Sequence, residues 1–263
     1  MIHAPLRGGP LPVSPDDTAW ARVERYYFPL VGQVIRKPRW FSPAVDAVWV
    51  QAVHNGEALA LRLTWHDRSQ SPDTAWLKFA GKVLAAMVND DSVAPAAALW
   101  PDQVAVQFPL KIPQGMERPY FFMGSERDPV YQWRWTSAPR GAVAGLARGV
   151  ERFAALPTAP AAEALGSQAT YDHGEWRVVL TRALATADSS NQLQFAASRP
   201  IPVAFFAWDG SNAEHGARMA ISAWYFLALD QPTSARVFIS PVVAMALTLG
   251  LGLVVVWRAQ RRV

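Results

Sequence analysis

Apolar and polar residues alternate with a period of two through most of the chain. The run AVDAVWVQAVHNGEALALRLTWHD shows this best. Val45 to Trp65 reads as two strands, broken in the middle by His54-Asn55-Gly56-Glu57. An Asn-Gly pair between alternating runs is a strong hairpin signal, because both residues tolerate the positive φ that a tight turn needs. Further short strands are expected at Asp102 to Leu110, Val130 to Trp135, Glu175 to Leu184, Asn191 to Ser198, Pro202 to Gly210 and Met219 to Leu229. Many short strands between turn signals, with little helical periodicity, predict an all-β protein, a β-sandwich. Two segments break the pattern. Trp76 to Val88 reads as a helix or an inserted apolar turn. Pro139 to Ala169 is rich in Ala, Pro and Gly and reads as an insertion, with AVAGLARGVERFAAL as a short helix.

The ends differ from the body. Met1 to Asp17 is polar and rich in Pro and Gly, with no apolar h-region, so it is not expected to be a secretory signal. Residues 1–19 are read as an N-terminal extension and 20–235 as the β-sandwich domain. Phe238 to Trp257 carries no charge over 20 residues, the length of a membrane-crossing helix. Trp257, Arg258, Arg261 and Arg262 follow the pattern of a cytoplasmic boundary. The expectation is a single-pass membrane protein. Residues 258–263 form a cytoplasmic tail, and the large N-terminal domain lies on the outer, periplasmic face. Export would then depend on a partner that carries the signal.

Composition removes several functions. The chain has 263 residues, 51% of them hydrophobic, which excludes disorder. It has no Cys, which excludes thiolate zinc sites, Fe–S clusters held by this chain, cysteine nucleophiles and covalent haem attachment. The net charge of +4 comes without a basic stripe, so nucleic acid is not expected as a partner.

No phosphate-binding loop, dinucleotide fingerprint or nucleophile elbow is present. His3, His54, His66, His173 and His215 do not sit at metal-ligand spacing. His54, His66 and Asp67 read as loop residues, as do Asp188, Asp209 and Glu214, and no catalytic pair can be chosen among them. Two stretches are less ordinary. RPYFFMGSERDPVYQWRW (Arg118 to Trp135) sets Met123 between aromatics and Gly124. PVAFFAWDGSNAEHGARMAISAWYFL (Pro202 to Leu227) sets Met219 at the start of an apolar strand after a polar loop. A Met in such a place fills a core, or it is a soft axial ligand for haem iron.

At these blocks the chain resembles the haem b-binding gamma subunit of ethylbenzene dehydrogenase. Its relatives occur in dimethylsulfide dehydrogenase, chlorate reductase, selenate reductase and some nitrate reductases. The resemblance runs through AVDAVWVQAVHNGEALALRLTWHD, DQVAVQFP, MGSERDPVYQWRW and VAFFAWDGSNAEHGARMAISAWY. It implies an immunoglobulin-like or carbohydrate-binding-module-like β-sandwich that binds one non-covalent haem b. Met123 occupies the place of one axial ligand. The family usually places a Lys as the second, and here Met219 stands at that position, in GARMAIS. The resemblance therefore implies either bis-methionine ligation by Met123 and Met219 or a different second ligand, with His215 as the rival. Arg218 is a poor donor, because its guanidinium stays protonated. The implied role is a non-catalytic electron relay. The implied partners are an Fe–S subunit and a molybdenum subunit of the dimethylsulfoxide reductase class, with other membrane subunits or a cytochrome c beyond them. A quinone-linked or cytochrome partner would exchange electrons with the haem. Family members without an anchor are soluble, so the C-terminal segment implies a membrane-bound complex.

Two other readings stay open at this point. One is a membrane-anchored carbohydrate- or ligand-binding module, with exposed Trp platforms drawn from the 12 Trp residues. The other is a structural subunit that has lost its haem.

Overall fold

The computed structural model describes residues 1–72, 79, 83, 100–115, 117–231 and 236–261, the side chains of 236–240, 242, 255, 256 and 259 excepted. The strands in chain order begin with β1 (Ile2–Ala4), β2 (Tyr26–Pro29), β3 (Val31–Gly32), β4 (Ala47–His54) and β5 (Ala58–His66). Next come β6 (Gln103–Pro109), β7 (Val130–Ser137), β8 (Arg140–Ala147), β9 (Phe153–Ala155) and β10 (Gly166–Asp172). The last are β11 (Glu175–Ala183), β12 (Ile201–Trp208), β13 (Ala220–Ile221) and β14 (Tyr225–Leu229), followed by the helix α1 (Arg236–Gln260). The chain divides into two units, Met1–Asp230 and Gln231–Val263.

The first unit is the expected β-sandwich. A nine-stranded sheet runs β1-β14-β12-β6-β7-β8-β9, with β13 pairing β12 and β3. A five-stranded sheet runs β10-β11-β5-β4-β2. The Asn55-Gly56 turn joins β4 to β5 as read. Gly56 has φ +91°, and the Asn55 side-chain oxygen accepts from the N–H groups of Glu57 and Ala58. Alternate residues of both sheets then meet in one core. Val48, Val50, Leu61 and Leu63 come from one sheet, and Val104, Phe108, Trp133 and Phe205 from the other. Indoles lock the seam. Trp135 lies 4.8 Å from Trp176 and 6.0 Å from Trp65, both edge-on.

The larger sheet also buries its second face. Along β12, Val203, Phe205 and Ala207 enter the main core, while Ala204, Phe206 and Trp208 enter a separate apolar cluster. A strand that is apolar at every position must have both faces covered, and every residue of β12 is buried.

Five expectations are corrected. Asn191 to Ser198 is not a strand. Leu193 and Phe195 plug the core singly, and the Phe195 N–H reaches the Leu184 carbonyl at 2.9 Å. Met219 to Leu229 is two strands, because Ser222 interrupts it. The Ser222 hydroxyl accepts from the Phe205 N–H at 2.8 Å and so replaces a ladder bond. Within the Pro139 to Ala169 insertion the expected helix is replaced by β8 and β9, and β10 begins at its end. β8 pairs along β7 from Val130↔Ala147 to Ser137↔Arg140, and β10 pairs β11. Its small residues serve close packing, since a Cβ on Gly145 would meet the Phe153 ring at 2.4 Å. Residues 1–19 are not a detached extension, because β1 pairs in parallel with β14 and buries Ile2 and Ala4.

The fifth correction concerns the C-terminus. The helix is present as α1, but among the described residues no helix is long and apolar enough to cross a membrane. The Trp76 to Val88 reading lies outside the described residues, apart from Phe79 and Val83.

Phe205 packs on Phe28 across the seam, with ring centroids 5.1 Å apart. Phe205→Ala is expected to lower unfolding stability by about 3–5 kcal/mol, from lost burial and the cavity left behind. Urea denaturation followed by Trp fluorescence checks this.

Candidate functional site

The second apolar cluster lies on the face of the nine-stranded sheet opposite the main core. Ala105, Ala147, Ala204 and Ala217 contribute small side chains to it, and Phe122, Val130, Phe206, Trp208 and Ile221 add bulk. Met123 and Met219 both belong to this cluster, and both are fully buried. Met123 comes from the connection between β6 and β7 and Met219 from the residue before β13.

The Met123 turn is tightly specified. Met123 has φ +61° and Gly124 φ +66°. A left-handed conformation costs a non-glycine residue on the order of 1–3 kcal/mol and persists only where the surroundings enforce it. Here they do. The Met123 N–H bonds the Phe121 carbonyl at 3.0 Å, and its carbonyl accepts from Gly149 at 2.8 Å. The Gly124 N–H bonds the Tyr120 carbonyl at 2.9 Å. A Cβ on Gly124 would lie 2.8 Å from the Asp128 carbonyl oxygen, so glycine is required. On the other side, the Met219 carbonyl accepts from the Gln33 N–H at 3.2 Å.

A cation sits beside the methionines. Arg134 Nη2 donates toward Met123 Sδ at 3.4 Å. Its guanidinium lies over Phe153 at 4.0 Å and within 5.8 Å of the Trp208 ring. Arg134 Nε donates to Gln132 at 2.8 Å, Gln132 to Gln107 at 2.8 Å, and Gln107 to the Phe121 carbonyl at 2.9 Å. This relay ties the arginine back to the turn that carries Met123. Among the described residues no carboxylate pairs with Arg134. Burial pushes its pKa down to about 10.

An apolar groove of about 500 Å³ adjoins the cluster, lined among others by Val34, Ile35, Phe121, Ile221 and Trp224. Phe121, Ile221 and Trp224 are shared between the groove and the methionine cluster. Its size and apolar character match sites that take a flat organic cofactor. Two thioethers, an apolar groove and an unpaired cation suit a haem. The thioethers are soft donors for iron, the groove suits the macrocycle, and the cation suits its anionic propionates.

His215 does not join the methionines. Its ring stacks on Trp100 at 3.8 Å, and Nδ1 engages the Ala213 carbonyl at 2.9 Å. The acids read as loop residues are in part buried. Glu214 is fully buried and accepts from Trp40, Ala44, Asn212 and the Asp209 N–H. His54 is likewise buried, with Nε2 against the Asp230 carbonyl at 2.8 Å. Among the described residues the sandwich presents no strongly exposed Trp, and Trp40, Trp49, Trp100 and Trp224 are half-buried. Trp20, Trp65, Trp133, Trp135, Trp176 and Trp208 are buried, and among the described residues the one strongly exposed indole is Trp257 in α1.

The model of the family described as ethylbenzene dehydrogenase matches residues 17–155. The chain belongs to the ethylbenzene dehydrogenase family. Curated relatives extend the match beyond that segment. The chain is 28% identical over 216 residues to a protein proposed to be a respiratory nitrate reductase haem subunit of Haloferax mediterranei, covering 81% of this chain and 67% of the relative. It is 26% identical over 235 residues to the dimethylsulfide dehydrogenase subunit gamma of Rhodovulum sulfidophilum, covering 85% and 77%. It is 29% identical over 188 residues to the chlorate reductase subunit gamma of Ideonella dechloratans, covering 71% and 66%. A solved family 9 carbohydrate-binding module of Caldicellulosiruptor kristjanssonii, in complex with cellotriose, overlays with a TM-score of 0.45 at 10% identity. That overlay covers 89% of this chain and 96% of the module, a likeness too loose to bear on the site. The ethylbenzene dehydrogenase family segment holds Met123 and Arg134, while Met219 lies beyond it.

Arg134 was not legible as a site residue. One Arg in an aromatic strand looks like a solvated position, and only the pairing of β7 between β6 and β8 brings it over the cluster. Gly124→Ala is expected to destabilise the chain by at least about 1 kcal/mol, from positive φ plus the clash with Asp128. Thermal unfolding of the variant beside Gly115→Ala, whose Cβ would meet nothing, checks this.

Proposed function

We propose that this chain is a haem b electron-transfer subunit of a molybdoenzyme complex, with Met123 and Met219 as the axial ligands of one non-covalent haem. The observation that carries the reading is the convergence of two fully buried methionines, far apart in sequence, in one apolar cluster. The relatives named as haem or gamma subunits of nitrate reductase, dimethylsulfide dehydrogenase and chlorate reductase support it. The haem supplies reversible one-electron storage at iron.

The chain's own residues set the conditions for that storage. Met123 and Met219 would hold the haem iron, and their soft sulfur donors would favour its ferrous state. The buried Arg134 cation beside Met123 would offer a counter-charge to a haem propionate. The Gln107–Gln132–Arg134 relay holds that charge at a fixed distance from Met123. The aromatic and alanine lining excludes water. On this reading the chain exchanges electrons with an Fe–S subunit and a molybdenum catalytic subunit of the dimethylsulfoxide reductase class. A cytochrome or quinone-linked partner lies at the other end of the relay.

The apolar side chains of α1 suit contact with a membrane or with partner helices. Support comes from its exposed side chains. Leu247, Leu249, Leu251 and Leu253 are each about two-thirds exposed or more, at 70%, 63%, 72% and 71%, and they point around the helix rather than along one stripe. A helix apolar all round needs an apolar phase or partner helices about it.

Purified protein is expected to give a b-type reduced-minus-oxidised spectrum with one haem per chain by pyridine haemochrome. Met123→Ala and Met219→Ala each lose haem or its low-spin signature, and His215→Ala keeps both. The potential is expected to lie above that of a Met/Lys-ligated relative. Absence of haem in protein isolated with its native partners overturns the reading.

A further inference from the structure

Three carboxylates meet at one end of the sandwich, in residues the haem reading does not use. One oxygen from each of Asp67, Asp102 and Asp209 lies within 4.8 Å of the others. All three residues are buried, at 4%, 0% and 3% exposure. Asp67 follows β5 of the five-stranded sheet. Asp102 precedes β6 and Asp209 follows β12, both in the nine-stranded sheet.

Carboxylates this close and this buried cannot all stay ionised without a counter-charge. Among the described residues no Arg, Lys or His forms an ion pair with any of them. Burial, with the Asp102 and Asp209 charges adding to it, pushes Asp67 up to about 8, and burial pushes Asp102 up to about 6.

A second observation concerns the donors rather than the charges. Asp67 Oδ2 is buried with no hydrogen-bond partner at bonding geometry. Its Oδ1 accepts from the Ser69 N–H at 3.1 Å, and the Trp65 indole N–H stands close enough to the carboxylate to favour its charged form. The other two acids are held firmly. Asp102 accepts from the N–H groups of Ser71 at 2.6 Å and Gly210 at 3.0 Å and from Trp176 Nε1 at 3.0 Å. Asp209 Oδ1 accepts from the Ser211 N–H at 2.7 Å and the Asn212 N–H at 3.2 Å. A cavity of about 780 Å³ reaches the cluster, lined by Asp67, Asp209, Ser211 and Asn212 among others. Water or a cation has a route in.

We propose that Asp67, Asp102 and Asp209 form a binding site for a divalent cation of the calcium class, which ties the two sheets together at this end. All the donors are hard oxygens, which select calcium or magnesium over zinc or copper. Calcium–oxygen distances of about 2.3–2.6 Å allow two ligand oxygens on one ion to stand up to about 5 Å apart, as they do here. Magnesium demands a tighter octahedron. The cavity supplies room for the water ligands that three aspartates leave open.

The site reports on itself. The Trp176 indole that bonds Asp102 is placed to sensitise emission from a bound lanthanide. Terbium titrated into the purified, chelator-stripped full chain is expected to give indole-sensitised luminescence at one ion per chain, displaced by calcium at lower concentration than by magnesium. Chelation is expected to lower the melting temperature, and calcium to restore it. Asp67→Asn is expected to weaken terbium binding by at least about tenfold, the loss seen for even supporting groups at metal sites, and to abolish the chelator effect. The opposite result is equally clear. If no cation binds, Asp67→Asn relieves repulsion, the variant melts higher than the wild type, and neither calcium nor chelator changes either protein. That outcome overturns the proposal, as does displacement by magnesium ahead of calcium. Haem content, read on the same samples, is independent of these results.

Discussion

Everything in this molecule follows from the need to cover both faces of the central strands of the larger sheet. β12 has no polar position to give to water, and its neighbours β6 and β7 have few. One face is satisfied by the five-stranded sheet, through the Trp65, Trp135 and Trp176 seam. The other face has no second sheet. It is closed by the turn carrying Met123, by Phe153 at the end of the β8–β9 connection, and by the segment from Ala217 to Ile221. Those pieces are short, loop-like and rich in side chains other than simple aliphatics. The same requirement that makes the fold stable therefore assembles an enclosure whose walls are turns.

The order of the strands was largely open to reading, because period-two alternation and an Asn-Gly turn are local signals. The errors share a cause. In Pro139 to Ala169 the residues are small, and a run of Ala and Gly carries almost no periodicity. Only the long β7 partner, already fixed by its aromatics, makes β8 a strand. In Asn191 to Ser198 the alternation is real, but Arg182 binds the Leu193 carbonyl and thereby takes an acceptor that a sheet partner would need. The break at Ser222 is equally non-local, since it exists to let β12 change partners from β14 to β13. Residues 1–19 were misjudged because the three residues of β1 are too few to show a pattern.

The two methionines could be singled out in the sequence, and the buried charges could not. Met123 and Met219 stood out because a thioether beside an aromatic strand end is a recognisable context, sharpened by the family resemblance. Arg134, Asp67, Asp102 and Asp209 were not distinguishable from ordinary polar residues. A charged side chain in a sequence carries no label saying whether the fold will put it in water. Asp67 and Asp209 each follow the last residue of a strand, where solvated acids are common, and it is the stacking of strand ends from two sheets that buries them.

The methionine cluster shares no residue with the main core. Substitutions at Ala105, Ala204 or Met219 alter one face of β6, β12 and the strand edge without disturbing the seam that holds the sheets together. That separation leaves the cluster free to vary in composition while the seam between the sheets, and with it the sandwich, persists.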